Sequence, residues 1–211
     1  MPPMLSYNVL STPWPSNRPS VIVGIGRDAT AMFPDKPQDD SYWFCIINAM
    51  NPREKVKDWV LPGTSNSTVP PGIDTYMNNP NYLFAVATQY LSTLHVPQGA
   101  LYDFLAKYGA GRKLQQLEQI NAVLSCGSYG HMSYVLTGQC GPRKPGEPAP
   151  ASYETSAYHG EQAMLMMSLM PQMNGAPPYS VCDSYTWKSP PVTAAAGDTA
   201  KPKAAKAKAK A

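Results

Sequence analysis

The pattern of apolar and polar positions is most informative between residues 81 and 140. An apolar, β-prone run at 82–91 is followed by a turn, two helix-like segments and a second β-prone run at 133–137. The run at 82–91 lacks clean alternation, which favours a strand covered on both faces, with a helix as the competing interpretation. This order predicts a buried strand, a helical cover and a returning strand as the nucleus of the domain.

The two helix-like segments each carry one apolar stripe. The first stripe has the spacing i, i+3, i+4, i+7 and consists of Leu101, Phe104, Leu105 and Tyr108. The second stripe consists of Leu114, Leu117, Ile120 and Leu124. Such stripes are typical of amphipathic helices packed on a core, and Gly109 is a stop signal between them. A shorter helix is predicted at 73–78, where Pro80 limits its extent.

A hairpin is predicted before this nucleus. Residues 41–48 are dense in aromatic and β-branched side chains, which are typical of strands. A polar turn at 51–54 leads into a second run at 55–60 with partial alternation. The pair therefore predicts two antiparallel strands.

The first strand candidate, residues 20–26, ends in Gly24-Ile25-Gly26. A dinucleotide-binding fingerprint requires a third glycine and a helix that begins at once. The segment that follows ends in Pro34 instead. A turn at the end of a strand is the favoured interpretation.

Proline is concentrated at both ends of the chain. Residues 1–19 are predicted to form an extended arm rather than a helix or a central strand, because proline removes hydrogen-bond donors and restricts φ. Within this arm, Trp14 is a candidate anchor that docks in a groove of its own domain or of a neighbour. Residues 142–199 are predicted to form a second arm, rich in proline, methionine and aromatic residues.

A short docking helix is predicted at 161–170 within the second arm. A helix this short gains little stability alone, and methionine suits irregular partner contacts, so this helix should dock on its own domain or on another subunit. The candidate partner-docking residues of the second arm are Met164, Met166, Met167, Met170, Tyr185 and Trp187.

The last segment, 200–211, is a low-complexity lysine and alanine tail that we expect to be disordered. Its lysines are Lys201, Lys203, Lys206, Lys208 and Lys210. Subtracting these five charges from the net charge of +3 leaves −2 for the remainder of the chain. The tail is therefore either a salt-sensitive contact for a polyanion or a solubilising end.

Composition argues against several classes of protein. The four cysteines (Cys45, Cys126, Cys140, Cys182) form no CxxC pair, which argues against structural zinc and favours free thiols. The first residues lack the features of a signal peptide, and no apolar run is long enough to span a bilayer.

Candidate catalytic chemistry is sparse. The three histidines, His95, His131 and His159, accompany no known catalytic motif, and the adjacent acids Asp39 and Asp40 are expected to be solvated rather than to bind metal. We predict no catalytic residues, no metal and no cofactor.

The order of elements between about 41 and 141 resembles the interleukin-like EMT-inducer (ILEI, or PANDER-like) domain. The similar segments are Trp43-Phe-Cys-Ile-Ile-Asn48, Tyr82-Leu-Phe-Ala-Val-Ala-Thr88, Ala100-Leu-Tyr-Asp-Phe-Leu-Ala-Lys-Tyr-Gly109 and Tyr134-Val-Leu-Thr-Gly138. The resemblance implies an α+β fold and a non-enzymatic binding role, with glycan binding in some members. Its secreted members rely on disulfides, a feature that does not carry over to a chain without a secretion signal.

The predicted fold class is α+β, with twisted antiparallel sheets covered by short helices and extended Pro-rich N- and C-terminal arms. The predicted parts are an arm at 1–19, a core domain at 20–141, an arm at 142–199 and a tail at 200–211.

The leading functional hypothesis is a non-enzymatic structural protein of a large assembly, whose arms dock on neighbouring subunits. The assembly would be a virion, such as a bacteriophage, made in the host cytoplasm, with this chain as a minor capsid, decoration or tail protein. One alternative is a glycan-binding module with an aromatic site, for which Trp43, Trp59 and Tyr134 are candidates by residue type. The other is a polyanion binder that uses the lysine tail.

Overall fold

A computed structural model describes residues 4–124, 130–142, 150–158, 160–171 and 177–183. In these residues the strands are β1 (Leu5–Leu10), β2 (Ser20–Val23), β3 (Thr30–Met32), β4 (Ser41–Asn48), β5 (Lys55–Pro62), β6 (Tyr82–Gln89), β7 (Leu91–Ser92), β8 (His131–Gln139), β9 (Ser152–Tyr158), β10 (Met164–Met170) and β11 (Ser180–Asp183). The α-helices are α1 (Asp74–Met77), α2 (Gly99–Lys107) and α3 (Arg112–Leu124). The predicted α+β class with antiparallel sheets and short helices is confirmed.

The strands form two antiparallel sheets. Sheet A has the order β11-β10-β1-β2-β3. Sheet B has the order β5-β4-β6-β8, and both β7 and β9 also pair with β8. Since β6 and β9 pair with overlapping parts of β8, they lie on opposite sides of it. The predicted hairpin is confirmed as β4 and β5, and the predicted first strand as β2.

Sheet B is the middle of three layers. One buried cluster joins it to sheet A and includes Tyr7, Val9, Trp43, Ala85 and Val135. A second cluster joins the other face of sheet B to the helices and includes Phe44, Phe84, Leu101, Phe104 and Leu136. Because sheet B is covered on both faces, β4 and β6 are buried along almost their whole length. This confirms that 82–91 contains a strand covered on both faces.

The predicted stripe of α2 faces sheet B. Leu101, Phe104, Leu105 and Tyr108 are all buried. The rings of Phe44 and Phe104 meet edge to face, with centroids 6.4 Å apart. In α3, Leu114 and Leu117 are buried, and Ile120 is half-buried.

The prediction of an N-terminal arm at 1–19 is wrong for its first half. Residues Leu5–Leu10 form β1, which lies between β2 and β10 at the centre of sheet A. Tyr7 and Val9 are fully buried in the core between the sheets. The prolines lie on either side of this segment, so its own backbone N–H groups are available for strand pairing.

The prediction of a docking helix at 161–170 is also wrong. Residues Met164–Met170 form β10, whose burial alternates along the strand. Met167 and Leu169 point into the core, whereas Met164, Met166 and Met170 are exposed. The helix propensity of methionine and leucine is outweighed by pairing with β1 over six positions.

The predicted domain boundary at 141 does not hold. The strands β9, β10 and β11 all follow residue 141 in the chain. Strand β9 completes sheet B, whereas β10 and β11 complete sheet A. The second arm therefore contributes core strands up to Asp183. The remainder of that arm and the lysine tail lie outside the described residues.

Candidate functional site

The outer surface of sheet A carries most of the predicted docking residues that the structure describes. The exposed fractions of Met164, Met166 and Met170 are 46%, 51% and 42%. Met167 is only 5% exposed and packs inside its own core, so it does not belong to this surface. Tyr185, Trp187 and the five tail lysines lie outside the described residues, and their roles stay predictions.

The outward positions of sheet A form what we call the uncharged face. The face consists of Ser6, Asn8, Leu10, Ser20, Ile22, Ala31, Met164, Met166, Ser168, Met170, Ser180 and Cys182. These positions follow from strand alternation, because directly paired residues in a sheet point to the same side. Across these twelve described positions there is no Asp, Glu, Lys or Arg.

The apolar members of the uncharged face are neighbours. Leu10 pairs with Met164 on one side, and Ile22 lies diagonally from Leu10 on the other, two positions beyond its partner Ser20. Contiguous exposed apolar residues of this kind mark interaction surfaces more often than bare solvent-facing ones. The surface therefore suits contact with another protein.

A second surface feature is an aromatic groove of about 530 Å³, which we call the Trp14 groove. Its walls include Pro13, Trp14, Pro15, Tyr90, His131 and Gly160. Trp14 is 57% exposed, so its indole presents a large apolar surface to solvent. None of the side chains that line the groove carries a charge at neutral pH, because the imidazole of His131 is neutral there, as argued below.

Backbone hydrogen bonds hold the segment before Trp14 between the two sheets. Thr12 N donates to Thr88 O at 3.0 Å, and Tyr90 N donates to Thr12 O at 2.7 Å. On the other side, Ser11 N donates to the carbonyl oxygen of Ala163 at 3.0 Å. These bonds tie the segment to the end of β6 and to the start of β10, which places Trp14 beside Gly160.

Local contacts orient the Trp14 ring. Trp14 N donates to the hydroxyl oxygen of Thr12 at 3.2 Å, which turns the chain at Pro13. A Cβ atom added at Gly160, whose φ is +82°, would lie 3.7 Å from Cη2 of Trp14. The indole therefore lies beside Gly160, and a side chain there is disfavoured by the positive φ rather than by the space.

Tyr90 and His131 form the opposite wall. Their rings are stacked, with centroids 3.5 Å apart and an angle of 11° between the planes. Burial lowers the pKa of His131 below its usual value, and the charge of Asp40 partly offsets this. The imidazole is consequently neutral at pH 7 and acts as an aromatic surface.

Three described non-glycine residues have a positive φ, and one of them, Tyr90, lines this groove. They are Ser16, Asp40 and Tyr90, with φ of 65°, 52° and 47°. Such conformations cost about 1–3 kcal/mol each and cluster at functional sites. Tyr90 sits between β6 and β7, so its conformation turns the ring out of the sheet and towards His131.

The acidic pair is exposed at Asp39 and half-buried at Asp40, and both carboxylates also accept hydrogen bonds. Asp39 Oδ1 accepts hydrogen bonds from Gln89 Nε2 at 2.9 Å and from Ser16 N at 3.0 Å. Asp40 accepts one from Ser92 N at 3.0 Å and lies 2.7 Å from Nδ1 of His95. The two carboxylates tie together the loops that support the groove.

Charged and thiol groups elsewhere serve structure. Cys45 and Cys140 are buried, and burial raises the pKa of the Cys45 thiol. Within the described ranges, no three His, Cys, Asp or Glu side chains are grouped so as to hold a metal ion. His159 and Cys126 lie outside those ranges.

The aromatic residues suggested for a glycan site are separated and largely covered. Trp43 is fully buried and donates from Nε1 to Asp58 Oδ2 at 3.0 Å. Tyr134 is also buried, and its hydroxyl donates to Glu154 Oε2 at 2.9 Å. Trp59 is half-buried against Tyr76. Trp14, predicted as an anchor in a groove of its own domain or of a neighbour, is exposed, and its docking role stays a prediction. No sequence signal pointed to Tyr90 or Gly160.

Comparisons with known proteins add no assignment. No protein-family model matches the sequence, and the search of curated proteins gave no match. The likeness to the ILEI domain therefore stays a prediction. None of the helices in the described part of the chain is long and apolar enough to cross a membrane.

Proposed function

We propose that this protein is a non-enzymatic structural subunit of a large protein assembly. The assembly we favour is a virus particle, in which the chain is a minor capsid, decoration or tail component. The observation that carries the proposal is the uncharged face, a five-stranded surface without a charged side chain at its described outward positions. Its partner is another protein subunit of the same assembly.

The energetics of this face favour docking. Fully burying an exposed Leu, Ile or Met side chain contributes about 1.5–3 kcal/mol, and the half-buried Leu10 and Ile22 contribute part of that amount. Leu10, Ile22 and Met164 are adjacent there, so a partner can cover all of them at once. Because no charge has to be desolvated, little of this gain is lost. The flexible methionines adapt to an irregular partner surface.

The experiment is mass spectrometry of density-purified particles from the source. We expect this chain in a fixed ratio to the major shell protein, and the copy number then distinguishes a shell component from a tail component. Absence from particles, together with soluble monomer in the supernatant, would refute the proposal.

A second candidate function is binding of a polyanion through the tail, favoured by the five lysines and absent acids at 201–211. Deleting these residues should abolish that binding, and unchanged affinity would exclude it. The glycan-binding hypothesis, which rests on the ILEI resemblance, is tested on a glycan array.

A further inference from the structure

The Trp14 groove has the chemistry of a site for a proline-rich segment. Grooves lined by aromatic side chains bind such segments because proline rings pack on aromatic faces and the polyproline II conformation loses little entropy on binding. Here the indole of Trp14 and the stacked rings of Tyr90 and His131 supply the faces. The neutral lining suits the uncharged rings of prolines.

The chain carries a matching segment beyond its last described strand. Residues 187–192 read Trp-Lys-Ser-Pro-Pro-Val, with adjacent prolines at 190 and 191. The described chain stops at Asp183, so these prolines lie seven and eight residues further on. The question is whether they reach the groove.

The register of sheet A gives the direction in which β11 runs along β10. β11 runs antiparallel to β10, with Met170 opposite Ser180 and Met167 opposite Asp183. Continuing in that direction leads towards the start of β10 and the turn at Gly160. Gly160 precedes Met167 by seven residues, just as Pro190 follows Asp183 by seven. At about 3.3 Å per extended residue, seven residues reach up to about 23 Å, which is enough to match the path from Met167 back to Gly160.

We propose that the Trp14 groove binds the Pro190-Pro191 segment of its own chain. The prolines pack between the Trp14 indole and the Tyr90–His131 stack, and the backbone of Gly160 lies alongside. This contact joins the C-terminal segment to the N-terminal segment that crosses between the sheets. This contact does not involve the uncharged face. An experiment that refutes the contact therefore leaves the proposed function untouched, and the reverse also holds.

The experiment follows the Trp14 indole N–H by NMR in the full-length protein labelled with ¹⁵N at tryptophan. The resonance is assigned with Trp14→Phe. We expect the double variant Pro190→Ala/Pro191→Ala to shift the Trp14 signal, and the matched tail variant Pro202→Ala to leave it in place. An unchanged Trp14 signal in the double variant would overturn the proposal.

A peptide in trans completes the test. A synthetic peptide of residues 186–194, added to the double variant, should move the Trp14 signal back towards its wild-type position, and the same peptide with alanines at 190 and 191 should not. Failure of the first peptide at saturating concentration would count against the site.

Protein concentration distinguishes the possible sources of the segment. For a segment of the same chain, the wild-type Trp14 signal is independent of concentration and light scattering gives a monomer. A signal that reverts on dilution, together with a dimer mass, would mean that a second copy supplies the prolines and would overturn the intrachain assignment.

Discussion

The hydroxyl of Tyr7 lies 2.8 Å from Oγ1 of Thr137, in a fully buried position that joins sheet A to sheet B. Thr137 Oγ1 in turn donates to the carbonyl oxygen of Phe84 at 2.6 Å. Since the threonine proton is used there, Tyr7 is the donor in the first bond. Burial raises the pKa of Tyr7 well above its usual value, so the hydroxyl stays protonated and able to donate.

Replacing Tyr7 by Phe should reduce the free energy of unfolding by about 1 kcal/mol, because one buried hydrogen bond is lost while the ring remains. Urea denaturation measures this. The control is Tyr90→Phe at a half-buried position, which keeps the ring stacked on His131 and should change stability by less than about 0.5 kcal/mol. Equal stability of Tyr7→Phe and wild type would show that the bond between the sheets contributes nothing.

Truncation of methionines in β10 should follow the strand alternation. Met167→Ala leaves a cavity between the sheets and should cost about 2–4 kcal/mol. Met164→Ala, on the exposed side of the same strand, should stay within about 0.5 kcal/mol of wild type. Thermal and urea unfolding of the pair provide the measurement, and equal losses would contradict the observed strand.

The N-terminal segment should be essential for folding. Deleting residues 1–10 removes β1 from the centre of sheet A and leaves β2 and β10 without their shared neighbour. We expect loss of the near-UV circular dichroism signal and of cooperative unfolding. Deletion of residues 1–4 alone, which spares β1, is the control and should leave both intact.

Acidification should lower the free energy of unfolding, because His131 becomes protonated more readily in the unfolded chain. Its pKa is lower in the folded state than its usual value near 6.5, so between these two values the unfolded chain binds the extra proton. The contribution of His131 is fully present above pH 6.5 and is lost as the pH falls towards the folded pKa. His131→Phe keeps a ring against Tyr90 but does not titrate.

The comparison is urea unfolding of both proteins at pH 7.5 and pH 5. The loss of stability between these values should be smaller in His131→Phe than in wild type, since carboxylates affect both proteins alike. An identical loss would mean that His131 titrates normally.

Charge placed on the uncharged face should block assembly without unfolding the subunit. Met164→Lys or Leu10→Lys puts an ammonium where a partner has to desolvate it. We expect incorporation into particles to fall at least tenfold, as measured by quantitative mass spectrometry. Val123→Lys is the matched control, because Val123 is 78% exposed on α3, in the helix layer on the other side of sheet B. Undiminished incorporation of both face variants would show that docking uses another surface.

The local elements of the middle of the chain were predictable because their signals are short-range. The α2 stripe at 101–108 repeats with the helical period, and the dense aliphatic and aromatic run at 41–48 has strand propensity at nearly every position. The missing alternation at 82–91 even indicated burial on both faces. Each of these signals lies within about ten residues, so no distant partner was needed to interpret it.

The two ends of the chain were decided by long-range pairing. The proline content of 1–19 and the methionine content of 161–170 each predicted a different local structure. Pairing of Leu5–Leu10 with Met164–Met170 overrode both, because sheet A supplies hydrogen bonds and a core that neither segment has alone. Pairing between residues more than 150 positions apart cannot be predicted from a local sequence pattern.

The same contrast between short-range signals and long-range pairing applies to the surfaces. Trp14, which lies between two prolines, was predicted from the sequence as a docking anchor, because proline disfavours helix and central strand around it. Its neighbours Tyr90, His131 and Gly160 come together only when the ends of β6, β8 and β9 meet. The sequence alone thus determined the residue types and their short-range periodicity. The pairing of distant strands decided which side chains share a surface.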